Sequence, residues 1–152
     1  MNRITKKRKV PKPPKSLYAL VRMILTDVAK VEAMEGIGIN MASWYRKNGT
    51  CTVCAAGAIA ICRVGVDMDS LPSRSLGVLD PLFEASPKEW LNAYKAADAL
   101  RQGEVSIAAY WMGKPVSYDI ILDRPVCQYY ESPERWRRDM EKLYDALKAV
   151  RL

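Results

Sequence analysis

The sequence predicts a mainly α fold: a compact helical domain of about four helices around a buried small-residue helix, with a short β-hairpin near residues 116–130. Three observations predict it. Apolar residues recur at helical spacing in three long segments. Two Ser-Pro steps, at Ser86-Pro87 and Ser132-Pro133, mark helix starts. The run CTVCAAGAIAIC, residues 51–62, carries no polar stripe, which is the pattern of a helix enclosed on every side.

Taken in order, residues 1–15, MNRITKKRKVPKPPK, form a basic arm ending in Pro11, Pro13 and Pro14, which favour an extended, polyproline-like spacer. Order is expected from Ser16, an N-cap for a helix whose apolar face is Leu17, Leu20, Val21, Ile24, Leu25, Val28 and Val31, with Gly36 as the stop. Residues 36–50 hold three glycines and two asparagines and read as a loop with one helical turn around Ser43 and Trp44. The sequon-like Asn48-Gly49-Thr50 reads as a turn. Residues 52–64 read as one helix, with Thr52 and Arg63 its only polar side chains. Its Ala55, Ala56, Gly57, Ala58 and Ala60 let neighbouring backbones come close.

Residues 65–85 are loop-rich, with Pro72 and Pro81. Ser86-Pro87-Lys88-Glu89 reads as a capping box opening a helix that buries Trp90, Leu91, Tyr94, Ala97 and Leu100 and stops at Gly103. Residues 104–130 are ambiguous: SIAAYWM fits a short helix, while VSYDIIL and VCQYY around Asp123-Arg124-Pro125 fit a hairpin. Ser132-Pro133-Glu134 opens a last helix with Trp136, Met140, Leu143, Tyr144 and Leu147 inward. The organisation expected is an arm, 1–15, followed by a single globular domain, 16–152.

Charge is distributed unevenly. The arm holds Arg3, Lys6, Lys7, Arg8, Lys9, Lys12 and Lys15 and no acid; without them, 17 of the 24 Lys and Arg face 17 Asp and Glu, so the body is formally neutral. The pI of about 9.3 thus belongs to the arm, which suits a polyanionic partner. Fully engaged, the arm would neutralise up to about seven phosphates, with a logarithmic salt slope near about −6. The competing reading is a disordered, solubilising tail. KKRKV, residues 6–10, also has the composition of a nuclear-import signal.

The four cysteines, Cys51, Cys54, Cys62 and Cys127, raise zinc and dithiol chemistry. On one helix, Cys54 and Cys62 would lie about 12 Å apart along the axis, whereas two sulfurs on one zinc are about 4 Å apart. Cys-x-x-Cys at a helix start also suits a redox pair, but the polar stretch before Cys51 lacks the buried strand that precedes thioredoxin-like sites. Two small buried hydrophobes are the plainer reading. Zero histidines remove the usual general base and the Ser-His and Cys-His nucleophile pairs. Gly36-Ile37-Gly38 lacks the third glycine of a phosphate loop, and Asp67, Asp69 and Asp80 do not have calcium-loop spacing. No catalytic residue, metal or cofactor is assigned, and a non-enzymatic role is expected.

On the last helix Arg135, Arg138 and Lys142 share a face near Trp136, but Glu134, Asp139, Glu141 and Asp145 are interleaved and favour local pairing. Trp44, Tyr45, Tyr110, Trp111, Tyr129 and Tyr130 lie in less regular segments, where they either anchor a protein partner or cap the core.

CTVCAAGA, residues 51–58, preceded by Ser43-Trp44, and AADALRQG, residues 96–103, together resemble the C-x-V-C-x-A-G-A and A-L-x-x-L-R-x-G signatures of a group of small uncharacterised bacteriophage proteins, with Ala96 and Ala97 standing for the expected first pair of the second. The resemblance covers about half of the body and none of the arm. It implies a phage or prophage origin and transfers no activity to any residue.

No segment reads as a signal peptide. The longest charge-free apolar run, residues 51–62, would be about 18 Å long as a helix, against a bilayer core of about 30 Å. The expectation is a soluble protein of the bacterial host cytoplasm, without a membrane partner. Its arm would engage nucleic acid or an acidic protein surface. The alternative is an inhibitor or adaptor that binds a host protein through the globular body, and a dithiol redox protein is a third reading.

Overall fold

The computed structural model describes residues 10–41, 45–47, 50–68, 71, 80–114 and 126–152, with the backbone alone at 45–47 and 50. They form a mainly helical domain, as the sequence predicts, with one small sheet. Helix α1 (Leu17–Glu32) starts at Ser16, whose hydroxyl accepts from the Ala19 amide at 3.3 Å, and all seven apolar positions read from the sequence are buried.

The next segment departs from the expected loop. Strands β1 (Ile37–Ile39), β2 (Tyr45–Lys47) and β3 (Thr50–Val53) form a three-stranded sheet in the order β1-β3-β2. β1 runs parallel to β3, with Ile37 opposite Cys51, and β2 runs antiparallel to it, with Arg46 opposite Cys51. Strands this short show too little alternation to be read locally, and the glycines obscure what there is. The central helix therefore begins later than residue 52, because residues 51–53 are spent on pairing with two neighbours. The helical turn expected around Ser43 and Trp44, and most of the expected hairpin, fall on residues 42–44 and 115–125, outside the described residues. Its described end, residues 126–130, is irregular chain and turn.

Helix α2 (Ala55–Ile59) leaves β3 directly and continues as a π-helical turn, Ala60–Val64, ending on Gly65 at φ 78°. Every residue of α2 is buried, and α2 contacts α1, β3 and the later helix α4 (Leu91–Leu100). The small side chains have a geometric reason. A Cβ at Gly57 would stand 2.9 Å from the Cβ of buried Val53, so the helix turns back onto its own strand with no room for a methyl group.

After α3 (Asp80–Ala85), α4 is entered through a 3-10 turn, Lys88–Trp90. The capping box expected at Ser86 does not form. The Ser86 hydroxyl lies 2.8 Å from the Tyr94 hydroxyl instead, because the tight turn moves the helix start past it. The stop at Gly103 is as expected. At φ 76° its amide donates to Leu100 O at 2.9 Å and the Glu104 amide to Ala99 O at 3.0 Å, the double bond of a Schellman closure. Helix α5 (Val105–Trp111) folds back on α4, and α6 (Pro133–Ala149), capped by Ser132, packs on α1. Two fully buried tryptophans satisfy their indole N–H groups on distant carbonyls. Trp136 donates to Arg101 O at 3.1 Å and Trp90 to Pro11 O at 3.0 Å. The Leu17 amide donates to Leu152 O, tying the first turn of α1 to the chain after α6.

Among the described residues one charge is fully enclosed. Asp27 on α1 accepts at both carboxylate oxygens from Arg63 Nε, 3.1 Å away on the π turn. Burial pushes the Asp27 pKa up, while the Arg63 hydrogen bond and the Arg63 and Lys30 charges pull it back.

Two outcomes are expected. Gly57→Ala overpacks the contact with Val53 by more than helix propensity returns, so chemical denaturation should show a loss of about 1–3 kcal/mol. Arg63→Ala strands the Asp27 carboxylate; because Arg63 is about a third exposed, the loss at neutral pH should be about 2–3 kcal/mol. The native Asp27 pKa then lies further above its unfolded value. The penalty is therefore absent below about pH 4 and grows as pH rises through the native pKa, so the deficit against wild type should narrow in acid denaturation series.

Candidate nucleic-acid interface

Of the seven cations assigned to the arm, Arg3, Lys6, Lys7, Arg8 and Lys9 lie outside the described residues, and Lys12 and Lys15 lie within them. The arm does not detach at Ser16. Val10 already packs against the core, and the Trp90 indole holds the Pro11 carbonyl. Proline supplies an acceptor here without a competing amide of its own. Residues 10–15 thus form a fixed root, and Lys12 and Lys15 are both exposed on it.

The root forms one wall of a groove of about 470 Å³. Lys12 and Lys15 line it together with Glu89 from the 3-10 turn, Asn92 from the start of α4 and Trp111 and Met112 from the end of α5. The Lys95 ammonium sits 4.2 Å from the centroid of the Trp111 ring, a cation–π contact that adds a third positive charge beside the groove. Tyr110, 75% exposed, meets Trp111 edge to face with centroids 5.2 Å apart, and Ile107 on the same short helix is also exposed.

The other aromatics are placed differently. Tyr129 is half-buried, edge-on to Trp136, and its hydroxyl donates to Glu32; burial and then the Glu32 carboxylate push its pKa up. Tyr130 is exposed, while Trp44 and the Tyr45 side chain lie outside what is described. On α6 Trp136, the aromatic nearest Arg135, Arg138 and Lys142 in the sequence pattern, is buried and unavailable to a ligand. Neighbouring charges on that helix pair within the fold: Arg137 with Glu32, and Glu141 with Arg22, whose guanidinium also lies over Tyr144.

All four cysteines are free thiols. Cys51 is buried in β3, so a strand does precede the Cys-x-x-Cys helix, contrary to the turn expected from the sequence. The chemistry still points away from a reactive pair. Cys54, not Cys51, is the N-cap, and its sulfur accepts from the Gly57 amide at 3.4 Å inside a sealed core. Burial pushes the Cys54 thiol pKa up, more than the Gly57 bond lowers it, and Cys62 is raised by burial and then by Asp27. Among the described residues no group of three or more His, Cys, Asp or Glu could hold a metal ion, and no helix is long and apolar enough to cross a membrane.

No family model, no curated protein and no solved structure matches this chain.

The buried cap position predicts that Cys54 resists alkylation at neutral pH until denaturant is added, whereas the part-exposed Cys127 labels in the native state. Peptide mapping after iodoacetamide treatment with and without guanidinium would read this directly. Native labelling of Cys54 at the rate of Cys127 would contradict the sealed core.

Proposed function

We propose that this is a non-enzymatic, phage-type nucleic-acid-binding protein whose N-terminal cations engage the phosphate backbone. The observation that supports this most is the held root of the arm. A basic segment that leaves the body from a fixed point, with Lys12 and Lys15 already on an exposed groove, delivers its charge to one place. A free solubilising tail needs no such anchor. The neutral body leaves the arm as the dominant long-range attraction for a polyanion, and phosphate contacts made by extended lysines and arginines are sequence-independent.

Replacing Arg3, Lys6, Lys7, Arg8 and Lys9 together by Gln keeps the root and removes the outer charge. Anisotropy titrations of duplex DNA across a salt series should show the logarithmic slope falling from about −6 to about −2. Equal slopes for wild type and variant would overturn the reading. The acidic-protein reading differs in its outcome, since polyglutamate would then bind more tightly than nucleic acid of equal charge.

A host-protein adaptor is the second reading, favoured by the exposed Tyr110 and Tyr130 rings. Under it, the five-site variant still retains a stoichiometric protein partner.

A further inference from the structure

The groove at the root of the arm combines three features that phosphate binding by the arm does not require. An exposed tyrosine stands edge-on to a tryptophan that lines the groove. Lysines flank that tryptophan from two separate elements, Lys95 on α4 and Lys12 and Lys15 on the root. Asn92 and Glu89 present an amide and a carboxylate on the α4 side of the same space. Aromatic faces beside cations, with a few hydrogen-bonding groups between, are the elements of a site for unpaired nucleotides.

We infer that this groove is a base-stacking site for single-stranded nucleic acid, an assignment that rests on the arm being the phosphate-binding element. A nucleobase stacks on the exposed Tyr110 ring beside Trp111, and the adjoining phosphates lie along Lys12 and Lys15. Asn92 can donate to and accept from a base edge, whereas Glu89 accepts only, from exocyclic amino groups. Glu89 also repels phosphate, which orients the backbone toward the lysine wall and the base toward α4.

The size and chemistry of the groove select the occupant. About 470 Å³ lies within the range of sites for single small ligands of roughly 300–1,000 Å³, enough for about one nucleotide and far too little for a duplex. In a duplex the base faces are already stacked on one another, so the Tyr110 and Trp111 rings gain nothing from it without flipping. An acidic peptide would satisfy the lysines but offers no flat π face to the aromatic pair. The arm alone binds any polyanion; the groove adds the preference for an unpaired strand.

The test compares three labelled ligands by fluorescence anisotropy: an oligothymidylate, an abasic deoxyribose-phosphate oligomer of equal length and charge, and a duplex of matched phosphate number. Wild type should bind the oligothymidylate at least about 5-fold more tightly than the abasic oligomer. Tyr110→Ala should remove most of that advantage and leave abasic binding unchanged, and Tyr110→Phe should restore it. Because Tyr110 is largely exposed, its loss leaves the fold intact, which thermal unfolding checks. The double substitution Lys12→Gln with Lys15→Gln should weaken both oligomers and lower the single-strand salt slope by about 1.4.

If Tyr110→Ala binds both oligomers as wild type does, or if wild type binds the abasic oligomer or the duplex as tightly as the oligothymidylate, the stacking site is overturned and the arm reading survives. Stronger binding of polyglutamate than of oligothymidylate overturns the site as well. Absence of salt-dependent binding to every nucleic acid overturns the arm reading, and the inference falls with it.

Discussion

The close approach of α2 to the strand it leaves is the constraint on which the rest of the domain depends. With only hydrogen at Gly57 against Val53, the chain reverses from β3 into α2 within a single residue, Cys54, and that residue caps the helix with its sulfur. The alanines on either side then allow α1 and α4 to come close to α2. These two helices carry the remaining architecture. α1 supports α6 and presents Asp27 to the π turn, while α4 supports α5 and, through the turn at its entry, positions Trp90.

Trp90 connects that core to the outside of the molecule. Its ring is fully buried and its N–H still needs an acceptor, since an unpaired buried donor costs about 1–3 kcal/mol. The acceptor it finds is the Pro11 carbonyl, in a segment whose composition is that of a linker. A core requirement for hydrogen bonding thereby fixes where the basic arm begins. Prolines at 11, 13 and 14 reduce the entropy lost when the root is ordered, so the root is held at modest cost. Held in this way, the root brings Lys12 and Lys15 to the same space as Trp111 of α5.

The cysteines fit the same picture without a reaction. A sulfur at an N-cap is a weak acceptor, yet deep burial excludes water as a competitor, and a side chain larger than Cys would have to displace the neighbours that seal α2. The desolvation that lets Cys54 serve as a small apolar side chain also disfavours its thiolate, the form that both zinc binding and dithiol exchange require.

Local information in the sequence determined the helical class, the apolar face of α1 and those of α4 and α6 apart from Leu91 and Tyr144, which are only part-buried, the Ser16 and Ser132 caps and the glycine closure after α4, because each depends on residues within a turn or two of one another. It also determined the charge segregation of residues 1–15. The sheet was decided by tertiary structure: strands of three and four residues are stabilised by partners on other segments, and pairing across β1, β3 and β2 outweighed the helical pattern of residues 51–53. The groove was decided in the same way. Lys12, Lys15 and Trp111 are each conspicuous in the sequence, but their juxtaposition follows from the Trp90–Pro11 hydrogen bond, which spans 79 residues, and from the return of α5 along α4. Side-chain periodicity records what a residue contributes to its own helix; it carries no record of which distant carbonyl a buried indole will choose.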